Sequence, residues 1–222
     1  DTTMRVRVNS AAIGGMNQAE AISFFVGLVA RWFRDALCGE EVRAAAASGR
    51  DAYDLIEELA MAVPPGANGI VPVFSDAMDF GNWYHAAPSL LNLSIDPAVA
   101  SKGAIFRAIQ ENAAIVAAVN LVRVEDFAGV ESDGPLTFAG GAAKGRLWPQ
   151  IVADVTGRQL RIPKVREATA LGGAAAAAVG IGQFASLAEA GAAFVRFDRT
   201  IDPNPANRAV YDETRNRWQA AY

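Results

Sequence analysis

Two features of this chain could meet a charged ligand. The first is Leu136-Thr137-Phe138-Ala139-Gly140-Gly141-Ala142-Ala143-Lys144-Gly145-Arg146-Leu147-Trp148, where an apolar strand runs into two glycines and a helix follows within a few residues. Glycines at such a turn leave backbone N–H groups at the positive end of the helix with no Cβ atoms in front of them, which suits a nucleotide. The spacing is neither G-x-G-x-x-G nor G-x-x-x-x-G-K-[ST], so neither a Rossmann cofactor nor a phosphate-loop nucleotidase is supported. A tight strand-to-helix turn also needs Gly for its conformation alone, and both readings stand at this stage. The second feature is Gly27, which sits inside a helical pattern at a cost of about 1 kcal/mol relative to Ala. Close approach of another helix, or of a ligand, would explain it. The Ala-Gly tract over 169–182 points the same way, with packing against a neighbour as the first expectation.

Other reactive residue types stand without partners for chemistry. His85, in Trp83-Tyr84-His85-Ala86-Ala87, is the only histidine and has no Ser or Cys nucleophile motif around it. It reads as a loop or interface residue. Cys38 is the only cysteine, which excludes an internal disulfide and leaves no Cys/His set for zinc or an iron–sulfur cluster. At the end of an apolar helix it reads as an inert buried thiol. Asp76 and Asp79 read as solvated loop acids, and capping or salt bridging accounts for Asp154 and Glu167.

The 222 residues carry 20 Lys plus Arg against 24 Asp plus Glu, a net charge of −4, so no basic stripe offers itself to nucleic acid. With 52% hydrophobic and 20% charged residues the chain has the composition of a globular core. No segment of the roughly 18–20 strongly apolar residues needed to span a bilayer is expected, and no signal peptide is visible, so the expected setting is the reducing cytoplasm. The chain begins at Asp1 without an initiator Met and runs directly into the alternating Met4-Arg5-Val6-Arg7-Val8, as a piece of a longer polypeptide would.

Hydrophobic spacing supplies the elements that would position these residues. Ile22, Val26, Val29, Phe33 and Leu37 predict a helix over 17–37, and Leu55, Ile56, Leu59 and Ala60 predict another over 51–63, stopped by Pro64-Pro65-Gly66. Strands are expected over 69–74 and 90–94, with an irregular loop over 75–88 between them. A long helix over 97–122 carries Ile105, Phe106, Ile109, Ala113 and Val116 on one face, with Arg107 and Glu111 one turn apart. Beyond the strand at 135–139, Leu147, Ile151 and Val155 mark a helix. A short strand at 160–162 and helices over 166–179, 187–197 and 207–222 complete an α/β pattern in one domain.

Several segments together resemble the C-terminal domain of the FGGY carbohydrate kinases. They are Ser23-Phe24-Phe25-Val26-Gly27-Leu28-Val29-Ala30-Arg31-Trp32-Phe33-Arg34-Asp35, Trp83-Tyr84-His85-Ala86-Ala87-Pro88-Ser89, Asn92-Leu93-Ser94-Ile95-Asp96-Pro97, Phe106-Arg107-Ala108-Ile109-Gln110-Glu111, the Gly140-Gly141 run and Glu167-Ala168-Thr169-Ala170-Leu171-Gly172. The resemblance implies an actin-like, ribonuclease-H-like ATPase domain with a mixed sheet flanked by helices, the second of two lobes that close over ATP and a small carbohydrate. It implies Gly140, Gly141, Ala142 and Gly145 beside the adenosine and α-phosphate, Gly27 and Arg31 facing the outer phosphates, and Mg²⁺ as their counter-ion. Glycerol kinases have Asn where Gly145 stands, so an amide contact to adenine does not carry over. The aspartate that activates the acceptor and the Gly-Thr phosphate turn are expected upstream of Asp1, which predicts that the 222 residues alone are inactive. A pentulose or polyol kinase and a non-catalytic actin-like assembly module are the alternatives, and the resemblance leaves room for a homodimer.

Overall fold

The computed structural model describes residues 6–23, 25–74 and 89–221. Strand β1 (Arg7–Ser10) pairs antiparallel with β2 (Asn17–Glu20), Arg7 opposite Glu20 and Ser10 opposite Asn17. The helix expected over 17–37 is therefore shorter, and α1 is Val26–Leu37. Residues 17–20 satisfy their backbone groups across the hairpin, and Phe25 at φ 61° is left-handed, so helical bonding cannot extend back through it. From there the expected spacing holds, with Val29, Ala30 and Phe33 buried. A helix that the spacing did not indicate, α2 (Gly39–Ser48), follows immediately. It buries only Ala45, which leaves no apolar stripe to read. Next, α3 (Ala52–Met61) begins where the Asp51 carboxylate accepts from Tyr53 N–H at 2.9 Å, and it stops just before the two prolines.

Strand β3 (Val71–Val73) pairs antiparallel with β4 (Ser89–Leu91). The expected loop between them, with Asp76, Asp79 and His85, lies outside the described residues, as do residues 4 and 5 of the expected first strand. Ser101 then caps α4 (Lys102–Ala128), its Oγ accepting from Ala104 N–H at 3.2 Å. One apolar face was expected here, yet Phe106 through Val116 are buried without interruption, polar residues included. An apolar helix buried on all sides is a core helix. By length and composition α4 alone among the described helices is apolar enough to cross a membrane, contrary to expectation, but 72% of that window is buried inside the fold.

Burying α4 also buries polar side chains, and three of them, Arg107, Glu111 and Asn112, bond to other elements. Arg107, 5% exposed, donates to the Glu111 carboxylate at 2.8 Å, to Val63 C=O at 2.8 Å and to the Tyr211 hydroxyl at 3.0 Å. Glu111, 1% exposed, also accepts from Gly66 N–H at 3.0 Å. Asn112 donates to Pro72 C=O at 2.8 Å. These bonds tie the long helix to the end of α3, to β3 and to the last helix, because a buried charge without a partner costs far more than the pair returns.

The remaining strands form one mixed sheet. Here β5 (Leu136–Thr137) runs parallel to β6 (Leu160–Pro163), and β6 runs antiparallel to β7 (Phe197–Ile201), whose first residue falls at the end of the helix expected over 187–197. Between β5 and β6 lies α5 (Leu147–Thr156); α6 (Ala168–Gly180) and α7 (Leu187–Phe194) precede β7, and α8 (Arg208–Ala221) closes the chain. The buried Asp154 of α5 accepts from Asn204 N–H and Asn207 Nδ2, both at 2.7 Å, and so fixes the turn into α8. Helix α4 contributes to several apolar clusters, one around Ile115, Ile151, Leu160, Ile162 and Trp218, another around Phe33, Ile56, Phe106 and Ile109. Leu147 and Trp148, in the first turn of α5, pack against both.

Candidate functional site

The parallel pairing of β5 with β6 delivers the glycine turn to the end of the sheet. Leu136 N–H donates to Gln159 C=O at 2.8 Å and Phe138 N–H to Arg161 C=O at 3.1 Å, in register with β6; Gly140 N–H then bonds beyond that strand, to Arg166 C=O at 3.0 Å. Gly140 then turns at φ 90°, a conformation that only glycine adopts without strain, into a short 3₁₀ turn, Gly141–Lys144. A Cβ built on either Gly140 or Gly141 would meet nothing within 4 Å, and Gly141 is exposed. Among the described residues, no atom crowds this edge.

The far end of the turn is closed. The Glu57 carboxylate, projecting from α3, accepts from Arg146 N–H at 2.9 Å and from Leu147 N–H at 3.0 Å. A Cβ on Gly145 would collide with that carboxylate, its Cδ only 3.0 Å away. The sequence reading left the N–H groups at this helix start open to a ligand; in the structure the first two are held by an internal anion. On the other side Arg199 of β7 donates to Ala143 C=O at 3.2 Å and to Gly145 C=O at 2.5 Å. Neither Glu57 nor Arg199 was singled out from sequence, since each lies more than 50 residues from the turn and no local pattern connects them.

Gly27 and Arg31 are one turn apart on α1, both exposed. Among the described residues nothing lies within 4 Å of a Cβ on Gly27, so no described helix makes the expected crossing there. The Arg31 guanidinium is held loosely, 3.5 Å from Asp35. The buried side of α1 shares the Phe33 cluster with Leu147 and Trp148, which sets α1 and the start of α5 around one apolar centre. The Ala-Gly tract also departs from expectation. On α6 only Ala175 and Ala178 are buried, and Gly172 and Gly173 face open space. Tight packing at a glycine occurs instead at Gly103 of α4, where a Cβ would lie 2.6 Å from the carbonyl carbon of Leu59. Cys38 is fully buried and its thiol is pushed up to about 11, by burial first and then by Glu41, which makes it the inert thiol expected.

Residues 8–181 match the C-terminal domain of the FGGY family of carbohydrate kinases. The chain belongs to this family. All 222 residues align with autoinducer-2 kinase from Salmonella paratyphi A at 57% identity and with autoinducer-2 kinase from Escherichia coli K12 at 54%, and they span 42% of the length of each. The structure superposes on xylulose kinase from Rhodospirillum rubrum with a TM-score of 0.70 at 23% identity, over 99% of this chain and 42% of that one. The actin-like ATPase fold inferred from sequence is therefore the fold of this FGGY domain. Within it, four of the six expected site residues, Gly140, Gly141, Ala142 and Gly145, share one turn, and the other two, Gly27 and Arg31, share one face of α1.

Proposed function

We propose that this chain is the nucleotide-binding domain of an ATP-dependent carbohydrate kinase acting in the cytoplasm, and that the protein carrying it phosphorylates open-chain autoinducer-2 at a primary hydroxyl. The observation that carries the reading is the open edge at Gly140 and Gly141, where an added Cβ would meet no atom of the described residues within 4 Å, in a chain of this family. The relatives at 54–57% identity, named autoinducer-2 kinase, support the choice of substrate over a pentulose or polyol.

On this reading the backbone of Gly140, Gly141 and Ala142 lies along the adenosine and α-phosphate, with Gly145 at the closed end of the turn, and Gly27 and Arg31 face the outer phosphates. Arg31 brings a guanidinium to charge that develops during transfer. ATP supplies the phosphoryl group. No cluster of three or more His, Cys, Asp or Glu that could hold a metal exists among the described residues, so Mg²⁺ would arrive on the phosphates. Phosphoryl transfer rests on positioning and charge stabilisation more than on covalent chemistry by the protein. The acceptor pocket and the aspartate that activates the hydroxyl lie, on this reading, outside these 222 residues, which by themselves bind nucleotide weakly and transfer nothing.

Calorimetric titration with Mg·ATP tests the binding half. Nucleotide at ten times its dissociation constant should stabilise the chain by about 1.4 kcal/mol, visible as a thermal shift. No heat and no shift at millimolar Mg·ATP would overturn the assignment of the turn. For the substrate, the full-length kinase should transfer phosphate to autoinducer-2 with a higher kcat/KM than to xylulose or glycerol.

A further inference from the structure

We infer that Glu57 is a positioning residue for the glycine turn: its carboxylate, gripping the backbone after Gly145, holds residues 140–145 in the shape that offers Gly140 and Gly141 to the nucleotide. This rests on the assignment of the turn as a nucleotide site.

Four observations converge on it. Glu57 comes from a different element, α3, and reaches across 89 residues of sequence to take Arg146 N–H with both oxygens, at 2.9 and 3.1 Å, and Leu147 N–H at 3.0 Å. Its own position is firm, because its neighbours Ile56 and Ala60 are fully buried. Gly145 is the residue that admits it, since any Cβ there would occupy the carboxylate's place. The turn's carbonyls are held from the opposite side, Ala143 and Gly145 by Arg199. An anion and a cation from two separate elements thus fix the two polarities of one short backbone stretch, leaving its glycine edge clear. The charge on Glu57 has a second effect. It satisfies the positive end of α5, which therefore presents no vacant anion site, and the phosphates are left to the Gly140–Gly141 edge and α1.

The test compares E57Q, E57A, G145A and the double variant E57A/G145A in the intact chain, by amide hydrogen exchange and by Mg·ATP calorimetry. In E57A, exchange at Arg146 and Leu147 should rise at least about tenfold, and Mg·ATP should bind about tenfold more weakly, the scale expected for hydrogen bonds to a charged group. E57Q, which keeps one acceptor oxygen, should recover most of both. If Gly145 matters because it admits Glu57, G145A should resemble E57A and the double variant should be no worse than G145A alone. Unchanged exchange in E57A overturns the inference, and so does open exchange with undiminished nucleotide affinity, or additive losses in the double variant. If the unaltered chain binds no Mg·ATP, the nucleotide assignment fails and the role of Glu57 in presenting a ligand fails with it. The exchange arm then tells the two failures apart, by showing whether the grip on the turn exists.

Discussion

Gly27 and Gly103 are both glycines inside helices, and their surroundings are opposite. At Gly103 the α3 backbone presses so close that a methyl group would strike the carbonyl of Leu59, while at Gly27 an added methyl would meet nothing within 4 Å. The first belongs to the knot around α4, where helices touch backbone to backbone and a charged pair is sealed inside; the second belongs to a face with room in front of it. A small residue in a helix therefore has two distinct causes, a neighbour that is present or space that is kept, and the difference separates the part of this domain that stabilises from the face to which the nucleotide is proposed to bind.

The largest effect should come from opening the knot. Arg107→Ala removes the ion-pair partner of the buried Glu111 and the bonds to Val63 and Tyr211, and should cost about 3–5 kcal/mol in urea unfolding, if the variant folds at all. Gly103→Ala pushes α3 from α4 and should cost about 1–3 kcal/mol by the same measurement; a neutral result would deny that the two helices meet so closely. The charged pair also sets a pH dependence. Burial, opposed by Arg107 and by the bonds from Gly66 and Tyr211, lifts Glu111 to about 7 from an ordinary 4.5. The folded chain therefore holds a proton that the unfolded chain releases between those values. Its contribution to stability is full below pH 4.5 and is lost as pH rises through about 7, a decline on the order of 3 kcal/mol. Comparing Glu111→Gln with the parent from pH 4.5 to 8 should show that slope removed. The smallest effect sharpens the contrast most: Gly27→Ala should stabilise α1 by about 0.5–1 kcal/mol through helix propensity, yet weaken Mg·ATP binding if the space belongs to phosphates. Stabilisation with no loss of binding would place the nucleotide elsewhere.

Much of the domain could be read from short-range signals. The spacing of Leu55, Ile56, Leu59 and Ala60 marked α3, and that of Leu147, Ile151 and Val155 marked α5. The readings that failed are those where a distant partner overrides a local pattern. Residues 17–20 became a strand because residues 7–10 pair with them, and Phe197 left its helix for β7 because β6 offers an open edge. Of the candidate site, the glycine turn was legible because a strand that ends in Gly-Gly before a helix has few conformations. Glu57 was not, because nothing near it in the chain distinguishes it from any exposed acid on α3.

By itself the sequence determined the helices with strong apolar spacing, the family and the position of the glycine turn, all of which depend on residues a few places apart. Only the tertiary structure decided which glycines are pressed and which are open, that α4 is buried on every side over residues 106–116, and that a carboxylate from α3 closes the end of the turn. Those outcomes depend on which surfaces meet after the chain has closed over long loops, and contacts of that kind leave no periodicity along the chain to be read.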